Sequence, residues 1–229
     1  MQIAIFRSFS LRRRVANAVS FLTLLVSTSS CSYLGRHVGE WCNTRAYVRT
    51  DLESYMDQRF TPKSPVRTGV IPFVVPANLS ARSAQQPGLG NQLAWAVQRQ
   101  LLETGIFPIV GMLNREDWPR KKEEFFTGNF GALAFARDAG YDMIVVGYLD
   151  EINRLDTWRV HTKIIEVASG VTLWYGTSDV YTTRHDMLET SSTLGITDRR
   201  PDILYTSALL DSVSACIAYD MTHDPEVDG

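Results

Sequence analysis

The chain has 229 residues, 45% of them hydrophobic, with 23 lysines and arginines against 25 aspartates and glutamates and a formal net charge of −2. That apolar content excludes a disordered chain, and the length suits one domain of about 200 residues with its own core plus a leader. The slight acidity argues against a nucleic-acid binder, which carries a basic face.

The first thirty residues hold Arg7, Arg12, Arg13 and Arg14 and no acidic residue. "VANAVSFLTLLVS" follows, then small hydroxyl residues before Cys31. A charged start, an apolar run and a small-residue cleavage site make a secretory signal, in residues 1–30. A bilayer span needs roughly 20 apolar residues, so a transmembrane anchor is the poorer reading. Ser27, Thr28, Ser29 and Ser30 resemble a bacterial lipobox, although Thr28 stands where lipoboxes favour leucine. The resemblance implies cleavage before Cys31 and lipidation of that cysteine. Ser32 after it implies delivery to the periplasmic face of the outer membrane. An ordinary signal peptide that leaves Cys31 a free thiol is the alternative. Loss of the four leader arginines leaves 19 basic against 25 acidic side chains, a charge near −6.

Cys42 and Cys216 then remain as a pair. In an oxidising periplasm such a pair is expected to bridge. Two buried thiols that never meet are the other reading open to the sequence.

Residues 31–44 are short, polar and glycine-containing, and read as a tether. Tyr47, Leu52, Met56 and Phe60 then stand at near-helical spacing, with Thr44 as a candidate cap, which predicts a helix over 44–60. Two prolines in "TPKSPV" stop it. "TGVIPFVVP" (68–76) is a β-rich run and the first expected strand. Leu93, Ala94, Val97 and Leu101 share one face of a helix that Gly105 ends. "IFPIV" (106–110) is a second strand. Segment 112–128 is mixed in charge and expected to be exposed. "FGALAFARDAG" is a further helix, ended by Gly140. "YDMIVVGYLDEI" is a strand whose Met143 to Val146 run is apolar on both faces, as in a strand covered on both sides. In "TWRVHTKI", Trp158, Val160, Thr162 and Ile164 point one way and Arg159, His161 and Lys163 the other. "ASG" turns the chain into "VTLWYGTSDVYTT", which makes a hairpin. A loop runs from 184 to 200. Pro201 opens a last helix with Leu210, Val213, Ile217 and Met221 on one stripe.

The fold class is therefore α/β (α+β): a single mixed sheet of about five strands with helices packed on it. Its order is a β-α-β-α-β-β-β core between terminal helices. Residues 31–64 form the lipidated tether and first helix, and 65–229 the α/β domain.

"TGVIPFVVP", "GLGNQLAWAVQRQLLETGIFPIV", "ARDAGYDMIVVGYLDEI" and "ASGVTLW" together resemble successive landmarks of the CsgG-like periplasmic lipoproteins. That group includes curli-secretion, penicillin-binding-protein-activating and flagellar lipoproteins. The resemblance spans residues 66–182 and concerns fold more than role. It implies an envelope module that docks a partner. The curli pore carries paired membrane-spanning hairpins of about 9–11 residues per strand. The polar loops at 76–90 and 183–200 offer none.

No chemistry is assigned: no catalytic, cofactor-binding or metal residues. "GLGNQL" lacks the third small residue of a dinucleotide motif, and no strand leads straight into it. His37, His161, His185 and His223 have no ligand spacing. His185, Asp186 and Glu189 make at most a solvated loop cluster. Asp150 and Glu151 are adjacent on a strand and point to opposite faces, and Asp142 stands apart from them. Neither G-x-S-x-G elbow nor Cys–His pair is present.

The expected function is an outer-membrane-anchored periplasmic lipoprotein that assembles or docks an envelope or flagellar protein, through 112–128 and 183–200. It contacts the membrane through its lipid, binds no nucleic acid, and is compatible with a homo-oligomer. Activation of a peptidoglycan synthase, or a curli-type channel subunit, is the alternative reading. An enzyme or ligand-binding module would need a deep pocket around Asp142, His185 or Asp186.

Overall fold

The computed structural model describes residues 42–61, 64–76, 88–114, 121–150, 157–181 and 201–223. The chain divides into two units, Met1–Glu40 and Trp41–Gly229, and every described residue lies in the second. The leader, Cys31, His37 and the loop 183–200 lie outside the described residues.

The first element is a strand, where a tether and a helix start were expected. In β1 (Cys42–Val48), Cys42, Thr44 and Ala46 are half-buried and Asn43, Arg45 and Tyr47 exposed. This is period-2 alternation, the mark of a strand with one face on a core. Helix α1 (Leu52–Arg59) begins later. Asp51, not Thr44, caps it, accepting from the backbone N–H of Ser54 at 3.1 Å. Leu52 and Met56 are buried on its inner stripe, whereas Tyr47 belongs to the strand.

The rest is β2 (Arg67–Val70), α2 (Leu89–Glu103), β3 (Ile109–Met112), α3 (Lys121–Thr127), α4 (Phe130–Asp138), β4 (Met143–Leu149), β5 (Thr157–Glu166), β6 (Thr172–Tyr181) and α5 (Pro201–Thr222). Strand β3 starts three residues later than expected. Pro108 has no N–H to give a ladder, and pairing with Arg67 begins at Ile109. A short α3 precedes the expected helix. Gly128 (φ 114°) and Asn129 (φ 57°) break between them, and the Glu124 carboxylate accepts from the N–H of Ala132 in the first turn of α4.

The sheet has six strands, one more than expected because of β1, in the order β1-β6-β5-β4-β2-β3. Strands β3, β2 and β4 are parallel, and β4, β5, β6 and β1 run antiparallel. It is a mixed α+β sheet. One face packs Val70, Met143, Val145, Val160, Ile164 and Trp174 against the inner stripes of α2 and α5. Leu93, Val97 and Leu101 of α2 and Leu209, Val213 and Ile217 of α5 are fully buried there. On the other face a smaller core sets Ile144, Val146, Tyr148 and Ile165 against Phe125, Leu133 and Ala136 of α3 and α4.

Two ties hold α5 to the edge strand. Cys42 and Cys216 form a disulfide, with Cα atoms 5.6 Å apart. Just past β1, the Arg49 guanidinium donates to the Asp220 carboxylate (2.6 Å) and to the backbone carbonyls of Asp220 (2.9 Å) and His223 (2.5 Å).

A third tie is pH-sensitive. Glu166, almost fully buried, accepts from Arg59 Nε at 2.7 Å and from the Ser169 hydroxyl. Burial raises its carboxyl, but the hydrogen bonds from Ser169, Arg59 and Tyr55 outweigh it and hold the group below its ordinary range. The folded state therefore favours the carboxylate. The stability this confers is present above the ordinary carboxylate range and is lost as pH falls through the lowered folded value. Glu166→Gln is expected to flatten the stability profile below about pH 5. Urea midpoints of both proteins across that range check it; parallel profiles would remove Glu166 from the account.

Candidate functional site

The registers of β1, β6 and β5 place three rows of side chains on the face that α3 and α4 cover at β4. Asn43, Asp179 and Arg159 form one row; Arg45, Thr177 and His161 the next. Tyr175 and Lys163 are paired in the third, with the Tyr47 ring centred 4.9 Å from that of Tyr175. Asn43, Arg45, Tyr47 and Arg159 are exposed. The arrangement follows from alternation: residues 158, 160, 162 and 164 of β5 turn to the α2–α5 core, and Arg159, His161 and Lys163 turn here.

Aromatic rings run through this face. Phe125 meets Tyr148 at 4.9 Å and Tyr175 at 5.8 Å, both edge-on, and Phe126 meets Tyr148 at 5.5 Å. Tyr47 is 50% and Phe126 61% exposed, so the chain of rings reaches solvent at both ends. Cations lie on the rings. Lys163 Nζ is 4.2 Å from the centre of Phe125 and 5.1 Å from that of Tyr175, and donates to the Phe125 carbonyl at 2.7 Å. The Arg45 guanidinium lies 5.2 Å over Tyr47. Among the described residues neither cation meets a carboxylate. Arg159 differs: it holds Asp179 through two bonds, of 2.7 and 2.8 Å.

The titratable groups here are displaced together. Burial, then the Asp150 carboxylate, pushes the Tyr148 phenol up to about 12. Burial raises Tyr175 and lowers Lys163. Burial also lowers His161, against the opposing pull of Asp150. The His161 ring stacks on Tyr148 at 4.4 Å and 5°, with its Nε2 3.8 Å from the Asp150 carboxylate. Its buried Nδ1 makes no hydrogen bond among the described residues. Such clustering marks a candidate site.

Other residues singled out from sequence have structural places. Asp142 accepts from the Arg67 N–H and donates its own N–H to the Arg67 carbonyl, both at 2.8 Å, tying β2 to the start of β4. His223 stacks on Tyr219 at the end of α5. Gly88 caps α2, and Gly90 sits directly beneath the Phe73 carbonyl. Those contacts account for the glycines of "GLGNQL" by packing. Glu151, His185, Asp186 and Glu189 lie outside the described residues. Segment 112–128 is not wholly exposed: Leu113 and Phe125 are core residues, which a reading by charge alone missed. Sequence reasoning also missed Tyr47, Tyr148 and Tyr175 as partners. The polar sides of β5 and β6 were the available signal, but only the register joins them.

No family model and no curated protein matches the chain. Solved structures similar to it include a PelC dodecamer from Paraburkholderia phytofirmans, at 13% identity and a TM-score of 0.46, covering 80% of this chain and 99% of that one. Another is lipoprotein GNA1162 from Neisseria meningitidis, at 14% and 0.34, covering 59% of this chain and 99% of that one. A third is the LpoB C-terminal domain from Salmonella enterica, at 15% and 0.34, covering 57% and 93%. At these scores the likenesses carry no argument about role, and no sequence match places the chain in the CsgG-like group.

Proposed function

We propose that the protein is a lipid-anchored periplasmic module that docks a protein partner in envelope assembly, without catalysing a reaction. The observation that carries this is the open sheet face. Tyr47, Tyr175, Phe126 and Arg45 are of the types that dominate protein interfaces, large aromatics and arginine, with little side-chain freedom left to lose. Cys31 after an apolar leader supports the anchor, and the outer membrane is the membrane that Ser32 favours. Among the described residues no helix is long and apolar enough to cross a membrane. The reading covers a different protein as partner and assembly with further copies of the chain.

A photocrosslinking side chain at position 47, in protein carrying its leader and expressed in intact cells, tests the docking. The expected result is an adduct of one discrete mass. A crosslinker in place of Trp95, half-exposed on α2, is the control. Adducts from position 95 alone would overturn the assignment of the face. The anchor has its own measurement. A fatty-acid probe is expected to label the protein, and Cys31→Ala to abolish the label, because that variant lacks the cysteine that carries the acyl chain. Label retained in that variant would refute lipidation at Cys31.

A further inference from the structure

We infer that the open face takes an extended acidic segment of a protein partner, two carboxylates four residues apart straddling an apolar side chain. The inference rests on the docking reading above and names the chemistry of the partner.

Three observations carry it. The first is charge. The mature chain is acidic, yet Arg45 and Lys163, the cations of this face that meet no carboxylate among the described residues, are held in place by rings. A guanidinium lying on a ring keeps its edge N–H groups free to fork a carboxylate. Lys163 has spent one of its three donors on the Phe125 carbonyl. Desolvation disfavours its charge, and an incoming carboxylate would relieve that.

The second is spacing. Arg45 sits on β1 and Lys163 on β5, with β6 between, and they are one row apart. Strands about 4.8 Å apart and two residues of rise put the two positions about 12 Å apart. An extended segment at about 3.3 Å per residue covers that in four residues, and residues i, i+2 and i+4 face the same way.

The third is what lies between. The Tyr47–Tyr175 ring pair occupies the gap, tilted by 33°, with Tyr47 half-exposed. An apolar side chain at i+2 would rest on it. A neutral sugar ring would also stack on tyrosines, but it would leave both cations without a counter-charge.

The test uses the full mature protein and labelled peptides followed by fluorescence anisotropy. The probe is Glu-Ser-Phe-Ser-Glu with uncharged ends. Its comparators replace both glutamates by glutamine or the phenylalanine by serine. The acidic peptide is expected to bind at least about tenfold tighter than the glutamine form, and to weaken as salt rises. Arg45→Gln and Lys163→Gln should each weaken it several-fold, while Trp95→Ala leaves it unchanged. Arg45→Gln is expected to melt with the parent, since Arg45 is exposed. Lys163→Gln gives up the bond to the Phe125 carbonyl and is expected to melt lower. Its binding is read well below its own transition, and Arg45→Gln alone decides if Lys163→Gln does not fold. Equal binding of the acidic and glutamine peptides, no binding of either, or equal loss in Trp95→Ala would overturn the inference. Displacement of bound peptide by a neutral chitooligosaccharide, with binding insensitive to both charge variants, would assign the face to glycan instead. The crosslink at position 47 separates the two levels. An adduct that survives the double variant Arg45→Gln/Lys163→Gln keeps the docking reading and defeats the acidic segment. An adduct lost in that variant supports both.

Discussion

Cutting the Cys42–Cys216 bond is expected to lower the unfolding free energy by about 3–5 kcal/mol, and the melting temperature by roughly 10 °C. The cysteines are 174 positions apart. Loop-closure entropy grows with the logarithm of loop length, so a loop of this size gives about 5 kcal/mol as an upper figure. Residual structure in the reduced, unfolded chain lowers it. Cys42→Ala is the cleaner variant, because Cys42 is only partly buried while Cys216 is 1% exposed and would leave a small cavity. The effect should reach function. Cys42 begins the edge strand that carries Arg45 and Tyr47, and Arg49 clamps the other end to α5. Without the bond, β1 is held by β6, the Arg49 clamp and the packing of Ala46 on the core, so fraying should loosen the docking face before the core melts. Urea unfolding of the parent with and without a thiol reductant, beside Cys42→Ala, measures the first effect. Hydrogen exchange of the β1 amides measures the second. Unfolding free energies that agree within about 1 kcal/mol would show that the bond constrains little.

The elements legible in the sequence were those whose patterns are local. The stripe Leu93, Ala94, Val97 and Leu101 specifies α2, and all four are fully buried. Leu210, Val213, Ile217 and Met221 do the same for α5. The alternation of Trp158, Val160, Thr162 and Ile164 fixes the inner side of β5. Strand β1 was missed because two patterns overlap in it. Tyr47 falls at helical spacing from the residues of α1, while Cys42, Thr44 and Ala46 alternate too weakly to compete. What makes it a strand is tertiary: the free side of β6, the disulfide to α5 and the Arg49 clamp. A local propensity argument has no access to any of these.

The candidate face was illegible for a related reason. Its rings and cations come from five elements: Tyr47 and Arg45 from β1, Tyr148 from β4, Lys163 and His161 from β5, Tyr175 from β6, and Phe125 from α3. Only β5 and β6 among them share a local motif, the hairpin, and its turn alone does not give their register. Alternation showed that Arg159, His161 and Lys163 face together, but not that Tyr175 and Thr177 stand beside them. That took the register, which slips between Ile164 and Ile165 on β5. Charge pattern pointed to 112–128 instead, because "KKEEFF" looks solvated when read in one dimension. On a helix the same letters bury Phe125 and expose Phe126.

Gly90→Ala is expected to be the most damaging single-methyl change in the described fold, at about 3 kcal/mol. A Cβ there would lie 2.1 Å from the Phe73 carbonyl oxygen. That carbonyl is backbone and cannot swing away. Its residue is held from both sides: the Phe73 N–H donates to the Gly90 carbonyl at 3.0 Å, and the Val74 N–H to that of Gly147 at 3.0 Å. The segment after β2 is therefore wedged between the first turn of α2 and strand β4, and a methyl at position 90 must push the helix and the segment apart. Gly147→Ala should cost less, about 2 kcal/mol. Its Cβ would meet the edge of the Phe73 ring at 2.3 Å, which can tilt, and the backbone carbonyl of His161 at 2.6 Å, a looser approach than the 2.1 Å at Gly90. In a Phe73→Leu background the cost of Gly147→Ala should fall, whereas that of Gly90→Ala should not, because only the first clash involves the ring. Gly105 supplies the contrast. It has φ 75° with nothing within 4 Å of a Cβ, so Gly105→Ala should cost only the left-handed strain, about 1 kcal/mol. Denaturant unfolding of these variants orders them. Gly105→Ala falling below Gly90→Ala in stability would mean that backbone strain, not the close approach of Phe73, governs the glycines of this fold.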